Sequence, residues 1–205
     1  MRQSDLLIKK IEENNGIVTT KSMIKNGIHK DTIKTLAEKG EIIKIASGLY
    51  GFPNEDIDEY IYFMHRVPKG IFSHGTAAYL HGLCTRMPII YVMTVKTGSN
   101  VSRIKTEKNN IVFKYSKKEI FDLGKIKIIN PYGREISVYD RERTVLDVIK
   151  DKNRIDSQVF SETLKTYFSS KNKNLIKLSR YAAEMNMEKE LKIYTEVLLW
   201  RYRNK

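Results

Sequence analysis

The sequence predicts an α+β fold divided into two domains of unequal size. Three observations predict it. Short amphipathic helices and a β-like hairpin fill the first fifty residues. β-branched and aromatic runs then concentrate between Ile89 and Tyr139, and helical periodicity holds from Asp140 onward. The expected domains are residues 1–54, and residues 55–205 with a small mixed or antiparallel sheet followed by C-terminal helices.

Each early element follows from spacing. Between Ser4 and Asn14, Leu7, Ile8 and Ile11 share one helical face, Lys9, Lys10, Glu12 and Glu13 lie outside it, and Asn15-Gly16 stops the helix. Ile17 to Thr19 suits a short extended segment, and Thr19 or Thr20 caps a second helix whose buried side is Met23 and Ile24. Gly27 closes that helix, and Ile28 anchors a turn. In the third helix Ile33, Leu36 and Ala37 recur at the spacing of one packed face. Glu41 to Ile45, a tight Ala46-Ser47-Gly48 connection and Leu49 to Phe52 form a hairpin that Pro53 ends. Helix, short strand, short helix, turn, helix and hairpin in this order predict a winged helix-turn-helix, in which the helix after the turn enters the DNA major groove.

On that third helix Asp31, Lys34, Thr35 and Glu38 point away from the packed face, flanked by Lys30, Thr32 and Lys39. Lys30, Lys34 and Thr35 are the candidates for base edges. Lys34 is placed to donate to guanine and Asp31 to accept from a cytosine amino group. Lys21, Lys44 and Ser47 are placed for phosphates or the minor groove, and His29 for either task. The structural alternative is that Asp31 complements the helix dipole and Lys39 its C-terminal end.

Charge supports a polyanionic partner. The chain holds 37 Lys and Arg against 24 Asp and Glu, a formal net charge of +13. Only +3 of this falls before Phe52. Arg86 to Arg134 alone carries eleven basic and three acidic residues, so a second phosphate-holding surface and an ordinary solvated exterior both stay open there. One cysteine, Cys84, excludes an intrachain disulfide, and four histidines with it make a poor zinc site. No signal-peptide core and no run of about 18 apolar residues is seen, so a cytoplasmic protein is expected.

The second domain is expected to begin with a helix after the acidic stretch Glu55 to Glu59, with Asp56 and Glu59 at capping-box spacing and Ile57, Ile61 and Met64 on its packed face. Ile71-Phe72 reads as an extended entry, Ser73 as a helix cap, and Ala77 and Leu80 as the apolar side of a short helix that Gly82 stops. Ile89 to Val95, Ile111 to Tyr115, Lys125 to Ile129 and Glu135 to Tyr139 read as strands, the last two joined by Asn130-Pro131-Tyr132-Gly133.

Ser73, His74 and His81 are the nearest thing to a nucleophile and base, but no carboxylate has a cue to orient them. Asp140, Glu142 and Asp147 crowd a helix start. Glu142 and Asp147 are about 140° apart around the axis, which suits an Arg and Asp network better than a metal site. With no phosphate-cradling loop, dinucleotide fingerprint or nucleophile elbow, no enzyme activity, metal or cofactor is expected.

Four stretches in order, GIHKDTIKTLAEKGEIIKIASGLYGF, IFSHGTAAYLHGL, DRERTVLDVIK and LIKLSRYAAEMNMEKEL, together resemble the AbiEi family of type IV antitoxins over nearly the whole chain. His29 departs from the pattern, since related heads commonly carry a serine cap there. The resemblance implies an antitoxin of a two-gene abortive-infection system against phage. It further implies repression of its own promoter at inverted repeats and opposition to a cognate nucleotidyltransferase toxin without a stable complex. It places Ser73, His74, Leu80, Glu142, Arg143, Thr144 and Asp147 in the family's recurring motifs, and implicates the second domain in antitoxicity. From the residues alone two alternatives stay open, a plain winged-helix regulator and a nucleic-acid-processing enzyme using the basic second domain.

Overall fold

The computed structural model describes residues 2–14 and 16–203, with side chains of the last helix as far as Leu198. The chain is a mixed α+β protein whose contacts divide it into two compact units. The first runs through Pro68 and includes Ile129–Ile136; the second comprises Lys69–Ile128 and the chain from Ser137 onward.

The first unit holds α1 (Gln3–Glu13), β1 (Ile17–Thr19), α2 (Thr20–Lys25), α3 (Lys30–Glu38), β2 (Ile43–Ala46), β3 (Leu49–Gly51) and α4 (Glu59–Arg66). Its three strands form an antiparallel sheet in the order β1-β3-β2. Leu7 and Ile11 of α1, Val18, Met23, Ile28, Ile33, Leu36 and Ile42 make one buried cluster. Each such side chain contributes about 1.5–3 kcal/mol on leaving water. Thr19 Oγ1 accepts from Ser22 N at 3.1 Å, so the expected cap is made. Ile24 differs from expectation: it is 46% exposed, because α2 is too short to present more than Met23 to the core.

The His29 side chain makes no cap bond at the start of α3. Gln3 from α1 does this work instead. Its Oε1 accepts from His29 N at 3.2 Å and from Thr32 Oγ1 at 2.8 Å, while its Nε2 donates to Gly27 O at 3.3 Å. A side chain from one helix thereby bonds the turn carbonyl, the N-cap amide and a first-turn hydroxyl of another.

Gly51 sits where β3 pairs with both neighbours, opposite Ile17 and Ile43. A Cβ there meets Gly16 O at 2.7 Å and Ile45 Cδ1 at 2.7 Å, and the backbone oxygen cannot yield. Gly51→Ala is therefore expected to destabilise this unit by about 1–3 kcal/mol. Urea unfolding checks this, and an unchanged midpoint contradicts it.

Helix α4 starts later than its acidic lead suggests. The cap is Asp58, whose Oδ1 accepts from Ile61 N at 3.2 Å, rather than an Asp56–Glu59 box. The buried face is correspondingly Tyr60, Phe63 and Val67 instead of Ile57, Ile61 and Met64. Asp58 Oδ2 also accepts from Asn130 Nδ2 at 2.9 Å, and Asn130 Oδ1 closes its own turn by accepting from Tyr132 N and Arg134 N.

The second unit contains β4 (Ile71–Phe72), α5 (His74–Leu80), β5 (Tyr91–Lys96), α6 (Ser102–Glu107), β6 (Ile111–Ser116), α7 (Lys118–Phe121), most of β7 (Lys125–Ile129) and of β8 (Glu135–Tyr139), and the helices α8 (Arg141–Lys150), α9 (Ser157–Ser169), α10 (Leu175–Glu184) and α11 (Glu188–Arg203). The five strands run in the order β6-β5-β4-β8-β7. β4 is antiparallel to β5 and parallel to β8, and β5 is parallel to β6, so the sheet is mixed. The parallel β5–β6 pair needs a crossover, which α6 supplies. β5 begins at Tyr91, leaving Ile89 and Ile90 outside the strand and in solvent.

Helix α8 is the centre of this unit. Every residue from Glu142 to Ile149 is buried. Val145, Leu146 and Ile149 join Tyr167, Phe168, Leu178 and Ala182 in the main core. Charged residues on such a helix must find partners inside the protein.

Candidate functional site

Two groups of predicted residues occupy different units. On the first, α3 exposes Lys30, Asp31, Lys34, Thr35 and Glu38 while Ile33 and Leu36 hold it to the core. Lys34 Nζ lies 3.7 Å from Glu38, but both side chains are largely in water, so the pair restrains Lys34 little. Thr20, Lys30, Lys34, Glu38, Lys44 and Tyr50 line a concavity of about 370 Å³ between α3 and the β2–β3 hairpin. The fold thus gathers Lys30, Lys34 and Lys44 from two elements onto one surface. Lys21, His29, Asp31, Thr35 and Ser47 are exposed outside it. At the hairpin tip His65 Nε2 donates to Ser47 O at 2.9 Å, which steadies the turn without using the Ser47 side chain.

In the second unit most motif residues prove to be held by buried polar bonds. Asp140 Oδ1 caps α8 by accepting from Arg143 N at 2.9 Å. Asp140 Oδ2 meets Lys177 Nζ at 2.9 Å and accepts from Tyr181 OH at 3.1 Å. Glu142 Oε2 lies 3.2 Å from the same Lys177, and Glu142 Oε1 accepts from Tyr167 OH at 3.1 Å. Burial opposes the Lys177 charge, yet the two carboxylates prevail and hold its pKa above the ordinary lysine value. Thr144 Oγ1 donates to Tyr139 O at 3.3 Å. Arg143 donates from Nε to Asp147 Oδ1 at 3.0 Å and from one terminal nitrogen to Ile120 O at 2.7 Å and Leu123 O at 3.2 Å, with its guanidinium 4.4 Å from the Tyr139 ring centre.

Ser73 is not a side-chain cap, contrary to its expected task. Its Oγ accepts from Thr94 Oγ1 at 2.9 Å and lies 2.9 Å from His74 Nδ1. The Ser73 hydroxyl thus bridges the Thr94 hydroxyl and the His74 ring. His74 has φ +53°, a left-handed conformation that a non-glycine residue adopts at a cost of about 1–3 kcal/mol. His81 does not join it: its Nε2 donates to Tyr139 O at 2.6 Å. Leu80 is half-buried at the end of α5 and touches none of these polar bonds.

Burial pushes His74 below the ordinary histidine value, with Asp147 and Asp151 opposing and Lys114 and Arg143 reinforcing the shift. It does the same to His81, there opposed by the Tyr139 carbonyl. Both are therefore neutral when folded and take up protons on unfolding at a pH near 6. Their contribution to stability is present above the unfolded value of about 6.5 and is lost as pH falls through the lower folded values. Urea unfolding between pH 7.5 and 5 is expected to show this acid-side loss, reduced in His81→Gln. A loss equally steep in the variant rejects the role of His81.

Several residues here had no sequence signal. Thr94 and Lys114 come from strands remote from the motifs they serve, Asp151 directly follows the DRERTVLDVIK stretch, and Lys177 lies in the last of the four quoted stretches without being marked as a site residue. The basic stretch 86–134 is less bare than its charge implies. At least five of its cations meet carboxylates, Arg86 with Asp156, Lys96 with Asp122, Arg103 with Glu107, Lys114 with Asp151 and Arg134 with Asp58. Cys84 is buried with its thiol pushed up to about 11, mainly by desolvation, which suits a packing residue and not a nucleophile.

No family model and no curated protein matches the sequence. Among the described residues no helix is long and apolar enough to cross a membrane. In fold the chain is similar to the crystal structure of RV2827C protein from Mycobacterium tuberculosis, with a TM-score of 0.60 and 11% identity, over 88% of this chain and 71% of that one.

Proposed function

We propose that the first unit is a winged helix-turn-helix that binds double-stranded DNA, with α3 as the recognition helix and the β2–β3 hairpin as the wing. The observation that carries this reading is the convergence of Lys30, Lys34 and Lys44 on one concave surface. α3 offers its exposed side to base edges, and the hairpin lysine reaches the adjacent phosphates. Asp31 at the helix start rejects phosphate locally and suits a base amino donor.

On the motif order given above, the protein is further proposed to be an AbiEi-type antitoxin. In this reading it represses its own promoter at inverted repeats and opposes a nucleotidyltransferase toxin, acting in the cytoplasm. The second unit, built on a helix whose Glu142, Arg143 and Thr144 are held by internal polar bonds, serves as a rigid body for that task. Co-expression with the product of the adjacent gene tests this part. Rescue of growth is the expected result; failure of the full chain to rescue removes the antitoxin reading and leaves a plain regulator.

A further inference from the structure

Within the second unit, two of the motif groups have polar atoms left over. Asp147 is only 3% exposed, and its Oδ2 is buried with no hydrogen-bond partner. His74 is 8% exposed, and with Nδ1 engaged by Ser73 its Nε2 has no hydrogen-bond partner among the described residues. An unanswered carboxylate oxygen in the interior costs about 1–3 kcal/mol or more, and left-handed backbone at His74 adds to that cost. Both residues line the same cavity, of about 1130 Å³.

That cavity shares His74, Val112, Lys114, Asp151 and Arg154 with a neighbour of about 400 Å³. The two differ in chemistry. The smaller is walled by Met87, Pro88, Ile89, Ile90, Val92 and Val159. Ile89 is 80% exposed and Ile90 51%, so large aliphatic side chains stand in water beside this space. The larger is polar, with Thr94, Thr97 and Ser116 among its hydroxyls. Its cations Lys117, Lys150 and Arg154 have no carboxylate partner among the described residues, whereas Lys114 is neutralised by Asp151. Glu119 and Glu184 also line it, so anion binding is confined to the part that Lys150 and Arg154 reach.

We propose that these joined cavities bind a phosphorylated nucleoside. Its base occupies the aliphatic lobe, its sugar hydroxyls face His74 and Asp147, and its phosphate meets Arg154 and Lys150. The sequence of chemistries selects this class. A sugar phosphate has no apolar body for the Met87–Ile90 lobe, and an acyl phosphate has no hydroxyl donor for the free Asp147 oxygen. A bare phosphate is repelled by that oxygen. The His74 ring and the Asp147 carboxyl group together suit a vicinal diol, one hydroxyl donating to the carboxyl oxygen and the other bonding to Nε2.

Calorimetric titration of the full chain with nucleoside monophosphates, the parent nucleosides and inorganic phosphate tests the site. Saturable binding of at least one monophosphate is expected, about tenfold or more tighter than its nucleoside or phosphate alone. Arg154→Ala and Ile90→Asp alter exposed side chains and are each expected to weaken it about tenfold without moving the unfolding temperature of the free protein. Lys34→Ala, on the first unit, is expected to leave it unchanged, which separates this site from the DNA surface. Competition by a short 5′-phosphorylated RNA identifies a strand terminus as the source of the nucleotide, and its absence identifies a free nucleotide; both outcomes support the site. No saturable binding by about 1 mM, equal binding of inorganic phosphate, indifference to both cavity variants, or loss in Lys34→Ala overturns it.

Discussion

Arg143→Ala is expected to destabilise the second unit by about 3–5 kcal/mol, the largest single effect in the molecule. The guanidinium is nearly inaccessible, and it joins three things at once. It pairs with Asp147 one turn along α8, it donates to the carbonyls of Ile120 and Leu123 in the turn that ends α7, and it lies over the Tyr139 ring. Gly124 follows those carbonyls with φ +78° and packs so closely that a Cβ falls 2.7 Å from Arg143 Cβ. Truncation leaves the Asp147 carboxylate buried without any partner and two carbonyls unsatisfied. Arg143→Lys is expected to recover only part of the loss, since an ammonium cannot reproduce the fork. Urea unfolding of the full chain measures both. A loss under about 1 kcal/mol for Arg143→Ala shows that the pair is solvated in solution and that its motif position reflects something other than folding.

The second large effect concerns DNA. Replacing Lys30 and Lys34 together by alanine is expected to cost about 1–3 kcal/mol for each residue that reads a base. For each residue that instead holds a phosphate, the salt slope is expected to fall by about 0.9 log units per log unit. The two roles separate cleanly. A base reader changes sequence preference at constant slope, and a phosphate holder changes slope at constant preference. Lys34→Ala alone distinguishes which role that residue has, because among the described residues its ion-pair partner is the exposed Glu38. Unchanged affinity, preference and slope in the double variant removes α3 from the interface.

The parts of the fold set by local chemistry were readable in the sequence. The spacing of Ile33 and Leu36 fixes the buried side of α3, and therefore which lysines face solvent. Thr19 caps as its position in the sequence dictates, and Ser47-Gly48 turns the hairpin. Arg143 and Asp147 meet at the four-residue spacing expected of a local helical network. What escaped depends on distance along the chain. Gln3 serves a turn 24 to 29 residues away, and no local pattern marks a glutamine for that task. The two-residue strand β4 takes its central place in the sheet only by pairing with β5 and β8. Ile57, Ile61 and Met64 keep a helical period, yet the Asp58 cap and the pull of Tyr60 and Phe63 into the core place another face inside. In the second unit the sequence marked Ser73, His74 and Asp147 but not the aliphatic wall from Met87 to Ile90, because exposed apolar residues beside a strand read as part of that strand.

The charge of the chain also reads differently once folded. A net +13 suggested a polyanion surface on residues 86–134, yet at least five cations there are paired, two with acids of the stretch itself and three with Asp156, Asp151 and Asp58 from outside it. Exposed pairs of this kind contribute little stability but cancel field. The less charged first unit places three lysines, Lys30, Lys34 and Lys44, on one concavity.

Binding of the full chain to the DNA immediately upstream of its own gene, measured by fluorescence anisotropy against a scrambled duplex near 0.15 M salt, tests the central claim most directly. The account predicts saturable binding at least about a thousandfold tighter to the upstream DNA, weakened by Lys30→Ala/Lys34→Ala. Equal affinity for the two duplexes, or specific binding that the double variant leaves intact, contradicts it.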